Sequence, residues 1–301
     1  MNFTNEGAWE LQGSTSAEAE SPTAVSNAEC PQTDASRPAV RSGTGRSAVF
    51  RQGAASTLRL MLVPLGRHAA KFHRRMQTEE RLQQGLVILL PGIDGCTTVS
   101  DNVARGLHAA GCELAMEVYD WRSFGGWNPL HLATHRRNRE RASEIVQRIL
   151  NYQTHYPDRP VYLIGHSAGA GVALFVLQQL PVGTRVRSVI LLAAAVSRRF
   201  DVNGLLDTTT HGIWNFWSRG DLTTLGLGTM IFGTVDRRHA LSAGALGFRA
   251  RPESAASTDC AGSRLHEMNY EFRMATAWNF GGHFGCTNSA FVTRYVAPLL
   301  D

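Results

Sequence analysis

The hydrophobic pattern divides the chain near residue 85. Before it, residues 1 to about 52 are rich in Ser, Thr, Ala, Glu, Pro and Gly without a sustained apolar period, and read as a disordered tail. Residues 53–84 read as a basic, partly helical linker, with Ala69, Phe72 and Met76 at helical spacing among Arg67, Lys71, Arg74 and Arg75. From residue 85 the rhythm becomes strand, loop, helix. Leu86–Leu90 is a continuous apolar run, as expected of a strand buried on both faces. Asp101–Ala110 suits a helix, and Leu114–Tyr119 the next strand. Ala142, Ile145, Val146 and Ile149 carry the 3.6-residue period of an amphipathic helix. Further strands are predicted at Pro160–Ile164, Val186–Ala194, Gly212–Trp217 and Phe272–Phe280, with a closing helix over Phe291–Leu300. Leu222–His266 has no clear period and is placed as a cap or lid. Alternating apolar strands and helices imply an α/β domain over 85–301, with a mainly parallel sheet covered on both faces.

Composition changes this picture only at its edges. The 301 residues are 43% hydrophobic and 18% charged, which suits a globular protein with one large domain. No apolar run approaches the roughly 18–20 residues that span a bilayer. There is no basic segment followed by an apolar one near Met1. The five cysteines (30, 96, 112, 260 and 286) form no regular spacing, and their odd number argues against a disulfide framework. A reducing cytoplasm is the compartment expected. The net charge is +5, yet Arg37–Arg81 holds ten Lys or Arg against Glu79 and Glu80. The basicity therefore belongs to the N-terminal segment. A solvated helix packed on the domain explains residues 56–84 more simply than membrane-surface contact, and no nucleic-acid partner is expected.

The candidate chemistry centres on Gly165-His166-Ser167-Ala168-Gly169, set between an apolar strand and a helical run. A serine on a strained strand-to-helix turn needs small flanking residues, and a helix starting there aims N–H groups at any oxyanion formed beside it. A serine hydroxyl is a weak nucleophile without a base, and the base needs an acid to orient it. Asp221 follows the apolar run Ile213–Trp217 and a short turn, and His283 follows Gly281-Gly282 before the last helix. Asp236 and Asp201 are the reserve acids. His266, which precedes the strand expected at Phe272–Phe280, is the reserve base.

In these features the chain from about residue 85 to 301 resembles the α/β-hydrolase superfamily. The resemblance implies an α/β-hydrolase fold and a nucleophile elbow at Ser167, with Asp221 and His283 completing a triad. It also implies an oxyanion hole made by the N–H groups of Ala168 and of Ile93 in Pro91-Gly92-Ile93. That loop lacks the His-Gly-Gly-Gly form of many esterases, so no subfamily is indicated. The implied activity is serine-dependent cleavage of an ester-type bond in a small-molecule acyl substrate. A thioesterase or acyltransferase on the same triad, and a silent hydrolase-fold binding protein, are the alternatives.

No metal or organic cofactor is implied. His131 and His135 lie one helical turn apart but lack a third ligand, and read as solvated helix residues. Cys96 and Cys286 sit on loops expected to border the pocket, and read as reduced cysteines before functional thiols. Asp120-Trp121-Arg122 ends a strand at the same edge, as a structural pair or a wall of the pocket. Trp127, Trp214 and Trp217 read as core aromatics before a substrate platform.

Overall fold

The computed structural model describes residues 45–61, 70–92, 98–119, 135–222, 241–249 and 264–301, with backbone alone at 70, 71, 135–137 and 222. Six strands form one sheet: β1 Leu86–Leu90, β2 Ala115–Val118, β3 Val161–His166, β4 Ser188–Leu192, β5 Ile213–Trp217 and β6 Leu265–Asn269. Their spatial order is β2-β1-β3-β4-β5-β6 and every neighbouring pair is parallel. β1, β3 and β4 are buried at every residue. That is why they read as unbroken apolar runs without alternation.

Alternate residues of these strands feed two cores. Leu86, Ile88, Leu90, Val161, Leu163, Val189 and Leu191 face one. Val87, Leu89, Tyr162, Ile164, Ile190 and Leu192 face the other. The long helices His135–His155 and Ala168–Gln179 cover the first core, and Thr98–Ala109 with the C-terminal segment covers the second. In chain order the helices are α1 Arg46–Met61, α2 Ala70–Arg75, α3 Glu79–Leu82, α4 Thr98–Ala109, α5 His135–His155, α6 Ala168–Gln179, α7 Ala243–Leu246 and α8 Ser289–Phe291. α8 runs on through a π turn, Val292–Val296, into the 3-10 turn Ala297–Leu300. The Tyr162 hydroxyl on β3 donates to the Leu300 carbonyl at 2.8 Å and fastens the chain end to the sheet.

Two expectations change. Phe272–Phe280 is not a strand: Phe272–Ala277 is a 3-10 helix, and Trp278 caps it with φ of 64°. The last strand is β6, and His266 lies on it, stacked on Trp214 at 3.8 Å. The boundary of the tail near residue 52 also falls inside a helix, since α1 begins at Arg46. α1 is bound to the domain by hydrogen bonds: Gln52 Nε2 donates to the Ser289 carbonyl at 3.1 Å and to Thr293 Oγ1 at 2.7 Å. Asn288 Nδ2 donates to the Gly53 carbonyl at 3.2 Å, and Asn102 Nδ2 to that of Ser56 at 3.1 Å. Residues 1–44 lie outside the described residues, as does most of 222–266. The segment 241–249 is described and pairs with the residues after β4, through Ala243 N to Val196 O at 2.8 Å and Gly244 N to Ala194 O at 2.9 Å. Among the described residues no helix is long and apolar enough to cross a membrane.

Candidate active site

Ser167 stands between the last residue of β3 and the first of α6, with φ of 53° and ψ of −119°. Such a backbone costs a non-glycine residue about 1–3 kcal/mol and persists only where its surroundings fix it. Here they do. Ser167 N donates to the Leu192 carbonyl at 2.9 Å, and its own carbonyl accepts from Ala195 N at 3.0 Å, so the end of β4 grips both sides of the turn.

The two flanking glycines are required for space. A Cβ on Gly165 would come within 2.5 Å of Ala170 Cα, and one on Gly169 within 2.1 Å of the Leu90 carbonyl oxygen. The strained dihedral is carried by the serine itself. Because Gly169 rests on the end of β1, the elbow is set directly against the chain that leads to residues 91–93. Ala168, the first residue of α6, has an N–H that no carbonyl within the helix can accept, as at any helix start. Ile93 lies outside the described residues, and so do Cys96, the Asp120–Arg122 group, Trp127, His131 and Asp236.

Asp221 sits in the 3-10 turn Arg219–Leu222 directly after β5 and is 1% exposed. The turn is fixed by Ser218 N donating to the Gly244 carbonyl at 3.0 Å and Asp221 N to the Ser218 carbonyl at 3.0 Å. His283 is buried, and its Nδ1 lies 2.9 Å from Asp221 Oδ2. An ionised carboxylate can only accept, so Nδ1 carries the proton and Nε2 keeps its lone pair. The two loops touch through their backbones: a Cβ on Gly220 would lie 2.6 Å from the Gly281 carbonyl oxygen. Gly281 has φ of 78°, and its N–H donates to Asn279 Oδ1 at 3.0 Å.

The elbow is tied to this pair through the neighbour of Ser167. The His166 ring packs 4.9 Å from that of His283, and its Nε2 lies 3.2 Å from the His283 carbonyl oxygen. A carbonyl accepts, so His166 donates from Nε2. Burial, with a smaller contribution from His283, pushes the pKa of His166 down to about 3, and the ring stays neutral. The described contacts include no direct Ser167–His283 hydrogen bond. Such bonds are often long in the absence of substrate.

His166, Gly220 and Asn279 went unnoticed as positioning groups in the sequence. Only His166 left a signal there, as a member of the glycine-flanked pentapeptide. Cys286 is a buried free thiol whose Sγ faces the His283 carbonyl at 3.7 Å. Burial first, and Asp221 second, raise its pKa well above the thiol range. Trp214 is 9% exposed within the second core, while Asp201 is exposed. His266 has its pKa lowered by burial. No group of three or more metal-ligating side chains occurs among the described residues.

Parallel strands, a serine elbow after the central β3 and an acid–histidine pair at the same sheet edge define an α/β hydrolase. The chain belongs to the alpha/beta hydrolase family, whose sequence model matches residues 87–295. No curated protein matches the chain significantly. Among solved structures it is similar to esterase PE8, at 17% identity over 69% of this chain and 91% of that one, with a TM-score of 0.36. A lipase-esterase related protein from Clostridium acetobutylicum is 13% identical over 69% and 90% of the two chains, with a TM-score of 0.35. A cutinase-like protein from Cryptococcus sp. is 16% identical over 71% and 95%, also at 0.35. Likeness at this level says nothing about substrate.

Proposed function

We propose that the protein is a serine hydrolase that cleaves a carboxylic ester or related acyl bond through an acyl-enzyme on Ser167. The observation that carries this is the buried 2.9 Å pairing of His283 Nδ1 with Asp221, tied through His166 to the strained elbow that carries Ser167. With its proton held toward Asp221, His283 has Nε2 available to take the Ser167 proton as the hydroxyl oxygen bonds to the substrate carbonyl carbon. The carbonyl π pair moves onto oxygen, where the Ala168 N–H at the start of α6 stabilises it, and Ile93 is proposed as the second donor. Collapse of this intermediate expels the alcohol, which takes the proton from His283. Water then repeats the sequence and frees the acid. Asp221 compensates the imidazolium each time it forms.

The test is covalent labelling by a fluorophosphonate, followed by turnover of p-nitrophenyl esters and acyl-CoA thioesters. Ser167→Ala should abolish labelling while leaving the circular dichroism unchanged. Undiminished labelling of that variant would remove Ser167 as the nucleophile. Preference for the thioesters would shift the substrate class with the triad intact.

A further inference from the structure

The outward face of α1 is unusual for a helix on a protein surface. Phe50, Leu58 and Met61 are 63%, 59% and 74% exposed, and with Ala54 they recur at positions that align on one side of a helix. The inward side is held chiefly by polar groups. Gln52 and the backbone carbonyls of Gly53 and Ser56 take part in the hydrogen bonds to Asn102, Asn288, Ser289 and Thr293 described above. Ser56 Oγ accepts from Ser289 N at 3.1 Å. Gly53 lets the helix approach so closely that a Cβ there would lie 2.1 Å from the Trp278 ring. The helix thus docks through Gln52, Gly53 and Ser56 and turns Phe50, Leu58 and Met61 to solvent. An apolar stripe of this kind marks a contact surface.

The stripe does not end at the helix. Phe50 packs against Trp278 at 5.4 Å, and Trp278 against Phe280 at 6.2 Å. Phe280 is 68% exposed and lies three residues before His283. An aromatic path therefore leads from α1 to the loop that carries the histidine. Arg46 and Arg51 are exposed on either side of the stripe, and α1 contains no acidic residue. On the facing 3-10 helix, Glu271 and Arg273 pair with each other, so the excess positive charge is not cancelled there.

We propose that α1, continued by Trp278 and Phe280, is a docking surface for an anionic lipid interface. Apolar side chains enter the boundary between headgroups and acyl chains, and the flanking arginines meet the anionic headgroups. A second copy of this chain suits the surface less well. In a symmetric pair the same patch meets itself, and α1 offers no acidic residue to receive the arginines of the other copy.

The experiment is sedimentation of the full chain with phosphatidylglycerol vesicles and, separately, with phosphatidylcholine vesicles. Binding is expected to phosphatidylglycerol, weakening as salt is raised and far weaker to phosphatidylcholine. Leu58→Ser with Met61→Ser should reduce the partition about tenfold or more, since both side chains are the kind whose burial drives such binding. Arg46→Glu with Arg51→Glu should reduce it about tenfold or more as well. Should the serine variant fail to fold, by circular dichroism and melting, the glutamate variant decides alone. Equal binding to both lipids, or no binding to phosphatidylglycerol, would overturn the proposal. So would a concentration-dependent dimer abolished by the serine substitutions, because it would make the second copy the occupant. None of these outcomes bears on labelling of Ser167, so the two proposals fail separately.

Discussion

His166 donates a hydrogen bond from Nε2 to the backbone carbonyl of His283 at 3.2 Å, so the residue before the elbow serine holds the loop that carries the proposed base. The two rings are 4.9 Å apart. Position along β3 and position of the 279–284 loop are thereby coupled through one buried polar contact.

Replacing His166 with Phe removes the better donor and leaves the His283 carbonyl only the weak Cys286 thiol, a loss of about 1–3 kcal/mol. The expected outcome is a kcat lower by about 10- to 100-fold on a soluble ester, with KM little changed. Gln can donate from a similar reach, so His166→Gln should recover much of the loss. Steady-state kinetics of the two variants check this. Equal damage by both would show that ring packing matters more than the hydrogen bond.

The neutral state of His166 also makes stability depend on pH. An unfolded histidine binds a proton as pH drops below about 6.5, whereas folded His166 stays neutral down to about 3. Between these limits the unfolded chain holds more protons, so stability is full above the upper limit and falls as pH falls. The loss from this one group should approach about 1.4 kcal/mol per pH unit in the middle of the window. His211 and His266, whose pKa values are also lowered by burial, act in the same direction. Urea unfolding at pH 7 and pH 5 should show the drop, and His166→Gln should flatten it.

Asp221→Asn should keep the fold and lower kcat by roughly 10³–10⁴, the scale expected when a base loses the carboxylate that fixes its tautomer. The matching variant is Asp236→Asn. A larger loss there would move the acid to residue 236.

Gly169→Ala should destabilise the protein by about 3 kcal/mol or more, because its Cβ has no room beside the Leu90 carbonyl and neither backbone can yield easily. Gly204→Ala is the control: its nearest neighbour would be 3.8 Å away, and its effect should stay within about 0.5 kcal/mol. Thermal melts of the two proteins give the comparison.

The central strands were legible because β1, β3 and β4 are buried on both faces and are apolar but for Ser188 and His166 at their ends. β6 was not, for the opposite reason. It lies at the sheet edge with no residue fully buried, and Leu265-His266-Glu267-Met268-Asn269 carries no apolar run. Its Glu267 is received by the fold, accepting from Phe248 N at 2.8 Å and Asn215 Nδ2 at 2.9 Å, which no periodicity could announce. Phe272–Ala277 invited the opposite error. Its aromatic start suggested a strand, but Phe272 points to solvent at 88% exposure. At the site, the elbow turn at Ser167 was legible from a local motif, and the approach of Asp221 to His283 from chain order, although the strand expected directly before His283 is a 3-10 helix. The contacts of His166 and Gly220 were not, since each depends on which loops meet across more than 60 residues. α1 was hidden because an inner face of Gln52, Gly53 and Ser56 looks like linker composition until its hydrogen-bond partners are known.

The docking of α1 carries a consequence for how the chain is made. Gln52 and Ser289 are 237 residues apart in sequence, so their contact cannot form until Ser289 has left the ribosome. The first described helix is therefore among the last to find its place. Until then the groups that will bind it on residues 288–293 do not exist, and the inward Gln52, Gly53 and Ser56 lack those partners. Late segments of the chain thus complete the seat of an early helix, and the α/β domain closes on a contact between distant parts of its sequence.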